Sequence, residues 1–138
     1  MASSAKYLLD ASALYPLMLR MRENLLQYAA QFAVLDLTLY EVGNAIWKEH
    51  RKGRIRNLAL VAKVFEEIIK DMNRLSIGQE IFSVLEIATG NDVTFYDASY
   101  IYVARKWRLK LVTEDSVLLS RFSEATSTEA LLKDLGLG

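Results

Sequence analysis

The chain contains no cysteine and a single histidine, His50. The first absence excludes disulfides, zinc–thiolate sites and thiol nucleophiles. The second confines any histidine ligation or general-base work to one position. Proline occurs once and the six glycines are scattered, so no glycine-rich loop is available to cradle a dinucleotide or a nucleoside triphosphate. No apolar run approaches the ~18–20 residues that span a bilayer. The stretch Met1 to Ala5 lacks the charged and apolar regions of a signal peptide, and a cytoplasmic location is expected. Net charge is also absent, with 17 basic against 17 acidic residues. The basic groups are nevertheless clustered. Lys48, Arg51, Lys52, Arg54 and Arg56 form one group, and Arg105, Lys106, Arg108 and Lys110 another.

What remains is apolar. Hydrophobic residues make up 52% of 138 positions, enough for one domain, taken as residues 1–138, with a sizeable core. Such richness suggests a sheet buried on both sides, a homo-oligomer, or both. Lys6 to Leu9 reads as a buried strand ending at Asp10, and Phe32 to Leu37 contains a second. Thr38 to Glu41 and Thr94 to Asp97 both read as capping boxes opening helices. Gly53 ends the first of these helices, and Asn57 caps an amphipathic one reaching Met72. A short strand is expected at Leu75 to Ile77. A helix over Gln79 to Ala88 is expected to stop at Gly90, with Asp92 a turn residue. A strand over Leu111 to Thr113 delivers Asp115 onto a turn, and a loop around Ser123 to Ser127 precedes a terminal helix. Short strands alternating with helices predict an α/β fold, a parallel sheet of four to five short strands flanked by helices on both faces.

Parallel sheets present ligand sites at the C-terminal ends of their strands. Asp10 and Asp115 follow strands, and Glu41 and Asp97 sit in the first turns of helices beginning near the same edge. Each alone reads as a cap or a turn residue. Together they can converge, and electrostatics then forces a choice. Two carboxylates ~5 Å apart repel by roughly 3 kcal/mol at an effective dielectric of about 20. Four such groups must protonate or hold a cation. Oxygen ligands alone favour Mg²⁺ or Mn²⁺, one ion or two, and that chemistry is phosphodiester hydrolysis.

The segments LLDAS (Leu8 to Ser12), TLYEVGNAIWK (Thr38 to Lys48), TFYDASYIYVA (Thr94 to Ala104) and LVTED (Leu111 to Asp115) resemble those of PIN-domain proteins, in particular VapC-type ribonuclease toxins. The resemblance covers nearly the whole chain in order and spacing. It implies a Mg²⁺- or Mn²⁺-dependent endoribonuclease, a small antitoxin protein that blocks the site, and a homodimer. It assigns the catalytic and metal-ligating roles to Asp10, Glu41, Asp97 and Asp115. Ser12 and Thr113 occupy the small hydroxyl positions that accompany the first and last acids. Asn44, one turn after Glu41, is a candidate supporting group on the same helical face.

Other features have several readings. The run from Lys48 to Arg56 serves as RNA-phosphate contacts (Lys48, Arg51 and Lys52 foremost), as a solvated helix end, or as a contact for an acidic partner. The tyrosines at 96, 100 and 102 and the two tryptophans read mostly as core or interface. A receiver domain would show an acidic pair near the first strand, and a haloacid-dehalogenase phosphatase would show Asp-x-Asp; Ser12 stands at that second position. The alternative from another class is a catalytically idle PIN-like module that binds RNA or protein.

Overall fold

The computed structural model of the chain describes residues 5–138; residues 1–4, most of the stretch Met1 to Ala5 considered above, lie outside the described residues. The chain builds β1 (Tyr7–Leu9), α1 (Ala11–Met21), α2 (Asn24–Tyr28), β2 (Phe32–Leu35), α3 (Asp36–Arg51) and α4 (Leu58–Lys70). It continues through β3 (Asn73–Leu75), α5 (Ile81–Asn91), α6 (Phe95–Trp107), β4 (Lys110–Val112), α7 (Ser116–Arg121), β5 (Ala125–Thr126) and α8 (Thr128–Asp134). The five strands form one parallel sheet in the order β3-β2-β1-β4-β5. The expected α/β class, strand number and two-sided cover are all present.

The strands read as apolar throughout because successive side chains enter two different cores. Leu9, Phe32, Val34 and Val112 pack with Leu14, Leu17, Phe65, Ile69 and Leu131 on one face. Leu8, Ala33, Leu35 and Leu111 pack with Ile101, Ala104 and Leu118 on the other. Shifting β1 by one residue would exchange Leu8 and Leu9 between the cores, so the register is strongly specified. A satellite cluster of Val84, Ala88 and Ala98 joins α5 to α6.

Several boundaries differ from expectation for identifiable reasons. Helix α3 starts at Asp36, directly from β2, so Thr38 is its third residue and not its cap. The Thr38 hydroxyl reaches back to accept the Leu35 amide at 3.1 Å. Leu35 has no side-chain acceptor, so only that half of a capping box exists, and Glu41 is left out of the capping altogether. The other helix start is as expected: the Thr94 hydroxyl accepts the Asp97 amide at 3.1 Å. Strand β3 lies two residues before its expected place. Helix α5 runs through Gly90 and ends where Asp92 adopts a left-handed φ of 52°. The segment after Asp115 forms α7 and the two-residue β5; β5 is too short to give an alternating pattern. Among the described residues no helix is long and apolar enough to cross a membrane.

Candidate active site

In the strand order β3-β2-β1-β4-β5 the chain leaves β1 toward one edge of the sheet and later returns to β4 on β1's other side. The crevice beyond the ends of β1 and β4 is therefore the topological switch point, where open α/β sheets bind ligands. Asp10 is the residue directly after β1, and Asp115 stands just beyond β4. Glu41 projects from the second turn of α3 and Asp97 from the first turn of α6. These four acids, with Ala11, Ser12 and Tyr100, line one cleft of about 200 Å³. Two larger apolar grooves flank α4, but their charged residues are of mixed sign and include no comparable gathering of carboxylates.

Asp10 and Asp115 are helix caps as well as cleft residues. Asp10 is only 8% exposed, and its Oδ1 accepts the Ala13 amide at 3.1 Å and the Ser12 hydroxyl at 2.6 Å. Asp115 is exposed, and its Oδ1 accepts the Val117 and Leu118 amides at 2.9 and 3.0 Å. Both sets of capping bonds fall on Oδ1. Each carboxylate can thus anchor its helix with one oxygen and offer the other to the cleft.

Hydroxyls stitch the two turns together. The Ser12 Oγ that donates to Asp10 also accepts the Glu114 amide at 2.9 Å and lies 3.3 Å from the Thr113 Oγ1. Thr113, fully buried, accepts the Asp115 amide at 3.1 Å. Glu114 turns away, and its Oε2 accepts the Thr128 amide and hydroxyl at 2.9 and 2.7 Å, which pins the start of α8. On the opposite wall the Tyr100 hydroxyl donates to Glu41 Oε1 at 2.6 Å and lies 2.8 Å from the Thr38 hydroxyl.

The electrostatics register the convergence. Burial raises the Asp10 carboxyl above its usual range and the charge of Asp115 adds to this, against opposing bonds from Ser12, Thr113 and Ala13. Glu41 is raised by burial and by Asp10 and Asp97, with the Tyr100 bond opposing. Asp97 is raised by burial, then by Asp115 and Asp10. Burial, followed by the bond to Glu41, raises the Tyr100 phenol strongly. Among the described residues none of the four acids is in a salt bridge; the ion pairs present lie elsewhere, at Glu49–Arg54, Glu67–Lys70, Asp36–Arg74 and Glu124–Arg105.

This donor set fits a hard divalent cation in its chemistry: carboxylate oxygens, shared negative charge and, among the described residues, no basic side chain in the cleft lining. Among the described residues no three His, Cys, Asp or Glu side chains are arranged to hold one ion directly.

The remaining candidates lie further out. Asn44 is exposed one turn along α3 and makes no hydrogen bond to the acids among the described residues. Lys48 is about 10 Å along the helix axis from Glu41, and Arg51 and Lys52 are beyond it. Arg51 lies over the Trp47 ring at 5.1 Å. The sequence reads Tyr100 as core or interface and Thr38 as a helix cap, and neither as a support for Glu41. The signal for Tyr100 was its place three residues after Asp97, on the same helical face, in a helix apolar enough to require a partner for a buried phenol.

No protein-family model matches the chain. It is 39% identical over 127 residues to exonuclease VapC9 of Pyrobaculum aerophilum, covering 92% of this chain and 93% of the relative. It is 31% identical over 124 residues to ribonuclease VapC3 of the same organism, covering 85% and 95%. A crystal structure of a Pyrobaculum aerophilum protein aligns with a TM-score of 0.85 at 38% identity, over 97% of this chain and 98% of that one. A toxin–antitoxin complex from Klebsiella pneumoniae aligns at 0.65 with 16% identity, over 89% and 98%, a likeness of fold alone. With identity at this level along nearly the full length, and a parallel sheet that gathers four acids at its switch point, the chain belongs to the VapC family of PIN-domain proteins.

Proposed function

We propose that this protein is a Mg²⁺- or Mn²⁺-dependent endoribonuclease acting as the toxin of a toxin–antitoxin pair. The observation that carries the reading is four carboxylates from four separate elements lining one cleft with no basic partner among the described residues. The names of the two relatives, an exonuclease and a ribonuclease, support nuclease chemistry. The Klebsiella neighbour's description as a toxin–antitoxin complex supports a small antitoxin as partner.

Asp10, Glu41, Asp97 and Asp115 would hold one or two ions together with water. A cation bound there supplies positive charge to phosphate oxygens and makes water more acidic. The chain's own residues do the rest. Ser12 and Thr113 tie the β1 and β4 turns together, which keeps Asp10 and Asp115 on the same cleft. The carboxylates repel a phosphodiester unless a cation is present, which couples RNA entry to metal binding. The low exposure of Asp10, 8%, supports single-stranded RNA, whose backbone can bend into the cleft, over an A-form duplex. Lys48, Arg51 and Lys52 would contact phosphates further along the strand. The exposed Ile81, Phe82 and Leu85 of α5 support a homodimer.

The test is purified protein on single-stranded RNA with Mg²⁺ or Mn²⁺, against EDTA and against Asp97→Asn. Both should abolish cleavage, and cleavage surviving both refutes the mechanism. The name of VapC9 favours a second reading, cutting from an end. A covalently closed RNA circle separates the two, since only an endonuclease linearises it.

A further inference from the structure

Tyr100 is only 1% exposed, and its hydroxyl has two partners where a buried phenol needs one. Thr38 at 2.8 Å would satisfy it; the bond to Glu41 at 2.6 Å is additional, short and charge-assisted. The direction of the chain follows from its ends. The Leu35 amide can only donate, and it does so to Thr38 Oγ1 at 3.1 Å. An ionised Glu41 can only accept, so the Tyr100 proton lies toward Glu41, and the Tyr100 oxygen is free to accept from Thr38. The bonds therefore run one way, from the end of β2 through Thr38 and Tyr100 to Glu41 Oε1. Bonds aligned in this sense polarise and strengthen one another.

The side chain at the end of this relay most needs holding. Glu41 is half-buried, longer than the aspartates by one methylene, and unlike Asp10 and Asp115 it has no helix terminus to anchor it. Among the described residues its only side-chain hydrogen bond comes from Tyr100. We infer that Tyr100 is a positioning residue whose buried hydroxyl, braced from behind by Thr38, fixes the Glu41 carboxylate at the cleft by one oxygen and leaves the other for the divalent cation. This inference rests on the metal-dependent reading above. Helix α6 then serves the site twice, supplying Asp97 as an acid and, one turn later, the hydroxyl that orients an acid of α3.

The substitution Tyr100→Phe removes the hydroxyl and keeps the packing. It strands no buried donor, because the Thr38 hydroxyl has the Leu9 carbonyl within 3.4 Å as another acceptor. Metal-free melting in EDTA should thus stay close to wild type. Mn²⁺ affinity, read by titration calorimetry without RNA, should fall about 10–100-fold, the loss typical when an outer partner of a ligand is removed. On RNA, kcat should fall with KM little changed. Thr38→Val should weaken Mn²⁺ binding in the same direction by less, and Thr38→Ser, which keeps the hydroxyl, should bind as wild type does. If Tyr100→Phe does not fold, the Thr38 pair decides. Wild type that binds Mn²⁺ and loses it on Asp10→Asn, while Tyr100→Phe and Thr38→Val bind as wild type, overturns this inference alone. Wild type that takes up no Mn²⁺ overturns the metal-dependent reading and this inference together.

Discussion

Asp97 shows at a single residue what the site does to the fold. It is half-buried, is pushed toward neutrality by its surroundings and by two neighbouring acids, and pairs with no basic side chain among the described residues. Replacing it with Asn keeps the size and removes the charge. Asp97→Asn should therefore stabilise the metal-free protein at neutral pH, by no more than about 0.5 kcal/mol because solvent screens a half-exposed carboxylate, while eliminating cleavage. Chemical denaturation in EDTA checks this, and a less stable variant would mean the acids are not in electrostatic contact. At this scale the convergence of the four acids on one cleft was legible in the sequence, because Asp10 and Asp115 follow strand ends, Asp97 opens a helix and Glu41 lies near the start of another. Tyr100 was not: an aromatic in an apolar helix looks like core, and Tyr100 is core in all but its hydroxyl.

At the scale of elements, legibility followed length. The long helices α3, α4 and α6 lie near where their periodicity puts them, whereas β5 has two residues and leaves no pattern. The two helix starts look alike in sequence but are not alike in structure. Thr94 caps α6 as its pattern suggests, whereas β2 runs straight into α3 and moves Thr38 inside the helix. That shift turns an expected cap into the brace behind Tyr100. Gly90 misled for the opposite reason. Glycine suggests a stop, but the Asp92 amide still bonds the Ala88 carbonyl and the helix continues through it. A Cβ at Gly90 would meet nothing within 4 Å. Gly90→Ala should accordingly raise stability by about 0.5–1 kcal/mol. Urea denaturation measures it, and a loss of stability would place an unseen constraint on that turn.

At the scale of the whole molecule, the raised carboxyls give stability an unusual dependence on pH. Asp10, Glu41 and Asp97 hold protons more tightly folded than unfolded. Their contribution is fully present below the ordinary carboxylate range and is lost as pH rises through the raised values. Glu124, lowered by Arg105, works in the opposite sense, losing its contribution as pH falls through its lowered value. With the three raised groups gathered in one cleft, metal-free protein should melt higher as pH falls from neutral toward the ordinary carboxylate range, before general acid unfolding sets in. Saturating Mg²⁺ should flatten that slope. Melting curves in EDTA and in Mg²⁺ test both, and a melting temperature that falls steadily from neutral pH downward would count against the shared site. The switch-point topology also bears on how such a protein is made. Ser12 meets the β4 turn across 102 positions of sequence, and Asp10 and Glu41 belong to the first half of the chain, Asp97 and Asp115 to the second. A ribosome translating this message builds half of the cleft early and completes it only when the last quarter of the chain emerges and β4 pairs beside β1. An enzyme that attacks RNA is thereby inert for most of its own synthesis.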